Sequence, residues 1–337
     1  MVPYIAIHER KGSFSDRWVK VCKDKQLSFR TVNCYNSDII KTLSNFNVLL
    51  WHWSHEEAKN FLIARAIISS VENMGLRVFP NISTCWHYDD KIAQKYLLEA
   101  IGAPLVPTYV FYNKEEAFRW ISSAAFPKVF KLRRGAGSEN VRLVRDYKDA
   151  QRLCRIAFRK GFSPVQSLFH DSRVKVKKIR NLKDLFSKVR NIGHAVANTS
   201  ERKSLMPLEK GYVYFQDYIP NNRFDTRVTI IGNRAFACTR NVRKNDFRAS
   251  GSGDIVYDIN KVNLDCVKIA FDITRDLKTQ SLAFDFLSDR LNKPLITEIS
   301  YCYVSSCIYN CPGYWDPKFN WHERHIWPED AILEDLI

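Results

Sequence analysis

The sequence predicts a mixed α/β protein in which a small parallel-sheet unit precedes a larger body built on antiparallel strand pairs. Three observations predict it. Over residues 1–86, short β-rich runs alternate with helical patterns, as expected of strands joined by crossover helices. Between 128 and 144, one strand pattern ends, a loop containing Gly135, Gly137 and Ser138 follows, and a second strand pattern begins. Near the C-terminus, 282–287 and 294–300 are two apolar β runs joined by a polar turn, the pattern of a hairpin. At 337 residues the chain is long enough for two or three units, each with its own core.

In the first unit the expected strands are 4–8, 28–33, 48–53 and 77–79, with helices at about 38–43 and 56–74. Ligands of parallel sheets gather beyond the C-terminal ends of the strands. That rim would carry His8, the loop 12–18, and Trp51, His52 and Trp53. There His52 is either a substrate contact or base, or a structural aromatic edge. A helix over 89–101 is capped by Asp89 or Asp90 and ended by Gly102, and Pro104 and Pro107 stiffen the connection that follows. Next come a strand (108–112), a helix (114–122) and a strand (128–132). Residues 162–210 have few long apolar runs and many bases, so an irregular or partly helical excursion is expected. Strand patterns resume at 212–219, 225–231 and 234–240. The expected units are therefore 1–86, 87–212 and 213–337.

No apolar run reaches the ~18 residues a membrane span needs, and the N-terminus lacks the sections of a signal peptide. Nine irregularly spaced cysteines suit a reducing compartment, so a cytoplasmic protein is expected. The net charge of +16 is concentrated: between Lys128 and Lys203 there are 21 Lys/Arg against 6 Asp/Glu. Such a block attracts polyanions, whether nucleic acid, an anionic surface or nucleotide phosphates, or it is a solvated face. Aromatic residues are sparse within it, so no base-stacking platform is evident.

The C-terminal hairpin carries one acid on each strand. It would bring Asp285 beside Glu298, with Ser300 two residues on and facing the same way. Two carboxylates in an apolar setting need a cation, either Arg or Lys, or a hard metal such as Mg²⁺ that also holds phosphate. In the loop after Lys131, the glycines let backbone N–H groups approach phosphate oxygens while a strand-held lysine neutralises them. The segment Gln216, Asp217, Tyr218 and Ile219 reads as an edge whose backbone groups could bond an adenine rim. Arg227 and Arg240 sit at strand spacings that can share a face, and Arg248 and Ser250 lie in a polar, Gly-rich loop. Several guanidinium groups near two carboxylates suit a site where anionic charge develops.

Together, in this order and spacing, these pieces resemble the ATP-grasp family over about residues 87–312. Closest in pattern are the glutamate ligases that modify ribosomal protein tails, with glutathione synthetase a more distant relative. The resemblance implies an ATP-grasp fold preceded by a small Rossmann-like domain. It also implies an ATP- and Mg²⁺-dependent carboxylate–amine ligase acting through an acyl-phosphate, with Mn²⁺ as an alternative metal. Lys91 and Lys131 look like the lysines on the nucleotide phosphates, and Gly135, Gly137 and Ser138 like the phosphate-covering loop. Gln216, Asp217, Tyr218 and Ile219 look like the adenine hinge. Asp285, Glu298 and Ser300 look like the metal ligands. Arg227, Arg240 and Arg248 look like the cations around the transferred phosphoryl group, with His52 and Ser250 toward the substrate. Partners would be a small-molecule or peptide carboxylate and an amine, with a homo-oligomer open.

Two departures stand out. The family usually has Asn where this chain has Ser300, and Tyr301-Cys302-Tyr303-Val304 follows in place of a Pro-Gly-type sequence. The tail holds Cys302, Cys307, Cys311, His322 and His325 without a Cys-x₂-Cys pair, so a substrate-lining loop is favoured over zinc. Its Cys-Pro-Gly-Tyr-Trp-Asp run and residues 12–18 also look like ATP-grasp proteins found among bacterial surface-polysaccharide genes. The other reading is a grasp that no longer turns over and binds nucleic acid or another polyanion through 128–203.

Overall fold

The computed structural model describes residues 4–55, 57–135, 140–163, 206–244 and 246–337. The expectations for Gly137, Ser138 and most of the basic 162–210 excursion fall outside the described residues. Contacts divide the chain into two compact units. One joins Met1–Ser54, Leu62–Val106 and Ile219–Ile337, and the other joins His55–Phe61 and Pro107–Tyr218.

The first sheet of the larger unit comprises β1 (Ile5–His8), β2 (Phe29–Val32), β3 (Val48–Leu50) and β4 (Arg77–Phe79), in the order β2-β1-β3-β4. All its pairings are parallel, as the strand–helix alternation predicts. The central strands β1 and β3 are buried along their whole length, which is why 5–7 and 48–50 read as unbroken apolar runs. Helices Ile39–Leu43 and Asn60–Asn73 fall within their expected spans. Residues 12–18, expected as a loop, instead begin the helix Phe14–Asp24. Ser13 caps it by accepting from the Ser15 amide, and Phe14, Trp18, Val21 and Cys22 form its buried stripe.

The smaller unit holds an antiparallel sheet of β5 (Thr108–Phe111), β6 (Lys128–Lys131), β7 (Val141–Val144) and β8 (Val213–Asp217), in the order β5-β8-β6-β7. Helices Lys114–Ser123 and Tyr147–Arg159 cover one face, where Ala117, Ile121, Leu153 and Ala157 cluster with Phe130, Val213 and Phe215. The pleat turns Val129, Lys131, Tyr214 and Gln216 to the opposite face. The hinge strand is therefore not an edge. β8 pairs with β5 on one side and β6 on the other, and the Asp217 amide donates to the Pro107 carbonyl at 2.9 Å. Hydropathy alone does not distinguish a central strand from an edge when both neighbours are apolar.

The larger unit also contains β9 (Phe224–Ile231), β10 (Arg234–Asn241), β11 (Ile255–Val256), β12 (Ser281–Ser288), β13 (Pro294–Ser300), β14 (Gly313–Trp315) and β15 (Trp321–Glu323). Their order is β13-β12-β9-β10-β14-β15, with β11 beside β10. The expected hairpin is β12–β13, with Asp285 opposite Glu298 and Ala283 opposite Ser300. The helix Leu264–Leu277 packs on β9 and β12. Gln280 ties this sheet to the parallel one, accepting from the Asn81 amide at 2.7 Å and donating to the Val78 carbonyl at 2.7 Å. The C-terminal helix Pro328–Leu336 packs on Phe14–Asp24, with the Trp18 indole donating to the Glu329 carbonyl at 3.0 Å. Arg17 forks onto Asp330 with both bonds at 2.6 Å. The segment expected as a separate 1–86 unit thus shares its unit with the antiparallel sheet. No helix among the described residues is long and apolar enough to cross a membrane.

Candidate functional site

Cross-strand register builds the charged centre of the larger unit. Asp285 on β12 lies opposite Arg227 on β9, and Asp225, two residues before Arg227, lies opposite Arg240 on β10. Residues two apart on a strand share a face, so all four side chains converge. Arg227 forks onto Asp285 at 2.7 and 2.9 Å. Arg240 forks onto Asp225 at 2.7 and 2.5 Å and reaches Asp285 Oδ2 at 2.8 Å. Two acids and two guanidinium groups cancel, which makes their burial tolerable. Burial alone would raise the Asp285 carboxyl, but Arg227 and Arg240 outweigh it and hold the group well below the usual carboxylate range. Burial pushes Asp225 upward against the pull of Arg240. The expectation that Arg227 and Arg240 share a face is met, and the residue they share is Asp285.

Glu298 faces Asp285 across the hairpin but takes its cation from elsewhere. Its Oε1 lies 3.1 Å from Lys91 Nζ. Lys91 is the first residue of the helix Lys91–Ala100, which Asp90 caps by accepting from the Ala93 amide at 3.0 Å. That helix lies against β13, and Gln94 Oε1 accepts from the Ile299 amide at 3.4 Å. Burial opposes the charge of Lys91, but Glu298 and Asp89 outweigh it and keep the ammonium protonated. Glu298 retains 34% side-chain exposure, and its second oxygen has no partner among the described residues. A hard divalent cation shared with nucleotide phosphates needs such an uncommitted carboxylate oxygen, so Glu298 fits that role. Ser300 differs: its hydroxyl donates to the Cys302 carbonyl at 3.1 Å and accepts from the Cys302 amide at 3.2 Å.

The remaining expected residues of this unit have other contacts. Arg248 pairs with Asp246, two residues away, at 2.6 Å. The Ser250 carbonyl accepts from Arg243 at 2.5 Å. His52 is buried, stacked on Phe14 at 3.8 Å between centroids and edge-on to Tyr301, as an aromatic edge would be. In the tail, Cys311 Sγ meets the Cys307 carbonyl at 3.4 Å, and the two histidines have separate partners. His322 pairs with Asp316 at 3.0 Å, His325 meets the Tyr309 carbonyl at 2.7 Å, and no metal-holding cluster occurs among the described residues.

In the smaller unit, Lys131 and Gln216 share the sheet face away from the helices, and Gln216 donates to the Thr108 hydroxyl at 3.1 Å. The Asp217 side chain points to the helix-covered side and accepts from Lys128 at 2.6 Å. Lys128 also lies over the Tyr109 ring at 5.2 Å. Gly135 begins the expected phosphate loop at φ +124°, and a Cβ there would meet Asn140 Nδ2 at 2.5 Å. Asn140 in turn donates to the Arg134 carbonyl at 2.9 Å.

Sequence reasoning missed a buried network at this loop root. The Tyr212 hydroxyl accepts from the Arg133 amide at 2.7 Å and donates to Glu209 Oε2 at 2.6 Å. Glu209 Oε1 lies 3.2 Å from Arg134. Burial, reinforced by Glu209, pushes the Tyr212 hydroxyl far up, so it stays protonated. No local spacing signals this network, because its two halves, Arg133–Arg134 and Glu209–Tyr212, lie more than 70 residues apart.

No family model and no curated protein matches the sequence. Solved structures do share its backbone. The chain is similar over 98% of its length to 70% of biotin carboxylase from Campylobacter jejuni, with a TM-score of 0.60 and 12% identity. It is similar over 99% of both chains to the D-cycloserine synthetase DcsG, with a TM-score of 0.58 and 13% identity. A RimK domain ATP-grasp protein from Sphaerobacter thermophilus matches 88% of this chain over 90% of its own, with a TM-score of 0.51 and 14% identity. The fold is that of the ATP-grasp enzymes.

Proposed function

We propose that this ATP-grasp chain is an ATP- and magnesium-dependent carboxylate–amine ligase. The observation that carries the reading is the Lys91–Glu298 pair, beside the buried Asp285, Arg227 and Arg240 row, on a fold of ATP-dependent enzymes. In this reading ATP transfers its γ-phosphoryl group to a substrate carboxylate, giving an acyl-phosphate and ADP. An amine then displaces inorganic phosphate and forms an amide. Phosphoryl transfer asks little covalent chemistry of the protein, so positioning and charge neutralisation carry the rate.

Each residue then has a task. Lys91 and Lys131 are each assigned to nucleotide phosphates. Adenine is framed by Gln216 and by the backbone of Tyr218 and Ile219, since the Asp217 carboxylate is committed to Lys128 and its amide to the Pro107 carbonyl. Arg227 and Arg240, held in place by Asp285 and Asp225, offer preorganised guanidinium donors where the acyl-phosphate forms, and Arg248 supplies a further cation to its oxygens. Glu298 would hold Mg²⁺, which when bound neutralises phosphate charge between the nucleotide oxygens. The acid and amine are small molecules or peptide termini, and the narrower likeness to polysaccharide-gene proteins adds nothing to this reading.

The test is ADP release that requires both an acid and an amine. It should fall at least tenfold in Lys131→Ala and in Glu298→Ala. ATP turnover unchanged by both substitutions would sink the assignment.

A further inference from the structure

We infer that the hairpin takes one divalent cation, through Glu298, and that Asp285 anchors Arg227 and Arg240 instead of binding metal. This deepens the nucleotide reading above and rests on it.

Three observations carry it. First, both oxygens of Asp285 are already engaged by guanidinium groups. Oδ1 accepts from Arg227 Nε at 2.7 Å, and Oδ2 accepts from Arg227 Nη2 at 2.9 Å and from Arg240 Nη2 at 2.8 Å. A cation entering there would have to sit against two guanidinium charges, or displace one of them, in a buried setting. Because Arg240 also forks onto Asp225, moving it would strand a second buried acid. The two arginines already supply the positive charge a metal would bring.

Second, Ser300 is not a free ligand. Its proton and one lone pair are used on the Cys302 backbone, so binding a cation would open the turn that ends β13. A neutral hydroxyl with its orientation set by its own chain is a weak donor for Mg²⁺, which dehydrates reluctantly and demands octahedral geometry. Third, Glu298 alone keeps an uncommitted oxygen with access to solvent. One carboxylate completed by water and phosphate oxygens is an ordinary Mg²⁺ arrangement. A second ion would have no protein ligand left in this row.

The experiment counts metal directly. Mn²⁺ replaces Mg²⁺, since both suit the same oxygen ligands. A non-hydrolysable ATP analogue is kept below the protein concentration so that all of it is bound. The loss of the free Mn²⁺ signal in electron paramagnetic resonance then gives ions per bound nucleotide. Wild type should bind one. Ser300→Ala should also bind one, with affinity within about twofold, and Asp285→Asn should keep that count if it folds. Glu298→Gln should weaken Mn²⁺ at least tenfold while analogue binding, followed separately by calorimetry, persists. Two ions in wild type, or loss of the ion in Ser300→Ala, would overturn the inference. Wild type that fails to bind the analogue at all would overturn the nucleotide reading instead, so the two failures are distinguishable.

Discussion

His87 gives the most quantitative handle on the segment that presents Lys91. It sits in the turn between the helices Ile82–Cys85 and Lys91–Ala100, and its ring is fully buried beside Trp86. Its carbonyl accepts from the Asp90 amide at 3.3 Å and from Gln94 Nε2 at 3.2 Å. Burial, helped by the nearby charge of Arg65, lowers its pKa from 6.5 to about 4. A displacement of that size corresponds to about 3 kcal/mol. Between these two pH values the unfolded chain binds a proton that the folded chain refuses. His87 therefore leaves stability intact above pH 6.5 and removes it progressively as pH falls toward about 4. His87→Leu abolishes the titration while keeping an apolar side chain in the site. Urea unfolding at several values between pH 7 and 4.5 should show wild type losing about 2–3 kcal/mol relative to the variant. Other carboxylates titrate in both proteins and cancel in the difference. Parallel pH curves for the two proteins would refute the argument.

Two further predictions follow from the charged networks. Arg240→Leu leaves Asp225 buried without its fork and should cost about 3–5 kcal/mol in denaturant unfolding, whereas Arg240→Leu combined with Asp225→Leu should cost markedly less. Tyr212→Phe leaves the Arg133 amide and Glu209 short of a partner and should cost about 1–3 kcal/mol, read as a lower urea midpoint with an unchanged slope.

How far the chain could be read before its fold was known depended on whether the signal was local. The parallel sheet over 4–79 was legible because each strand is a short apolar run set between helical patterns. The hairpin was legible because two β runs flank a polar turn, but the turn register alone would put Thr297 opposite Asp285, and a one-residue register shift between Asp285 and Phe286 brings Glu298 there instead. The helix at Phe14 was missed although Ser13, Asp16, Trp18 and Cys22 carry its signals, because Gly12 and the serines read as loop. The place of β8 inside its sheet was missed because pairing on both sides involves strands about 85 and 105 residues away.

By itself, the sequence determined the fold class, the position of the hairpin and the set of Lys, Arg, Asp and Glu residues offered to one site. Only the tertiary structure decided which charge meets which. Asp285 and Glu298 look equivalent along the chain, yet β9 and β10 deliver two guanidinium groups to Asp285, while the helix at Lys91 delivers an ammonium to Glu298 and leaves one oxygen open. Residue order states which groups exist. Their protonation, and whether an oxygen remains for a metal, depend on the distance and burial of partners brought together from strands far apart in the chain.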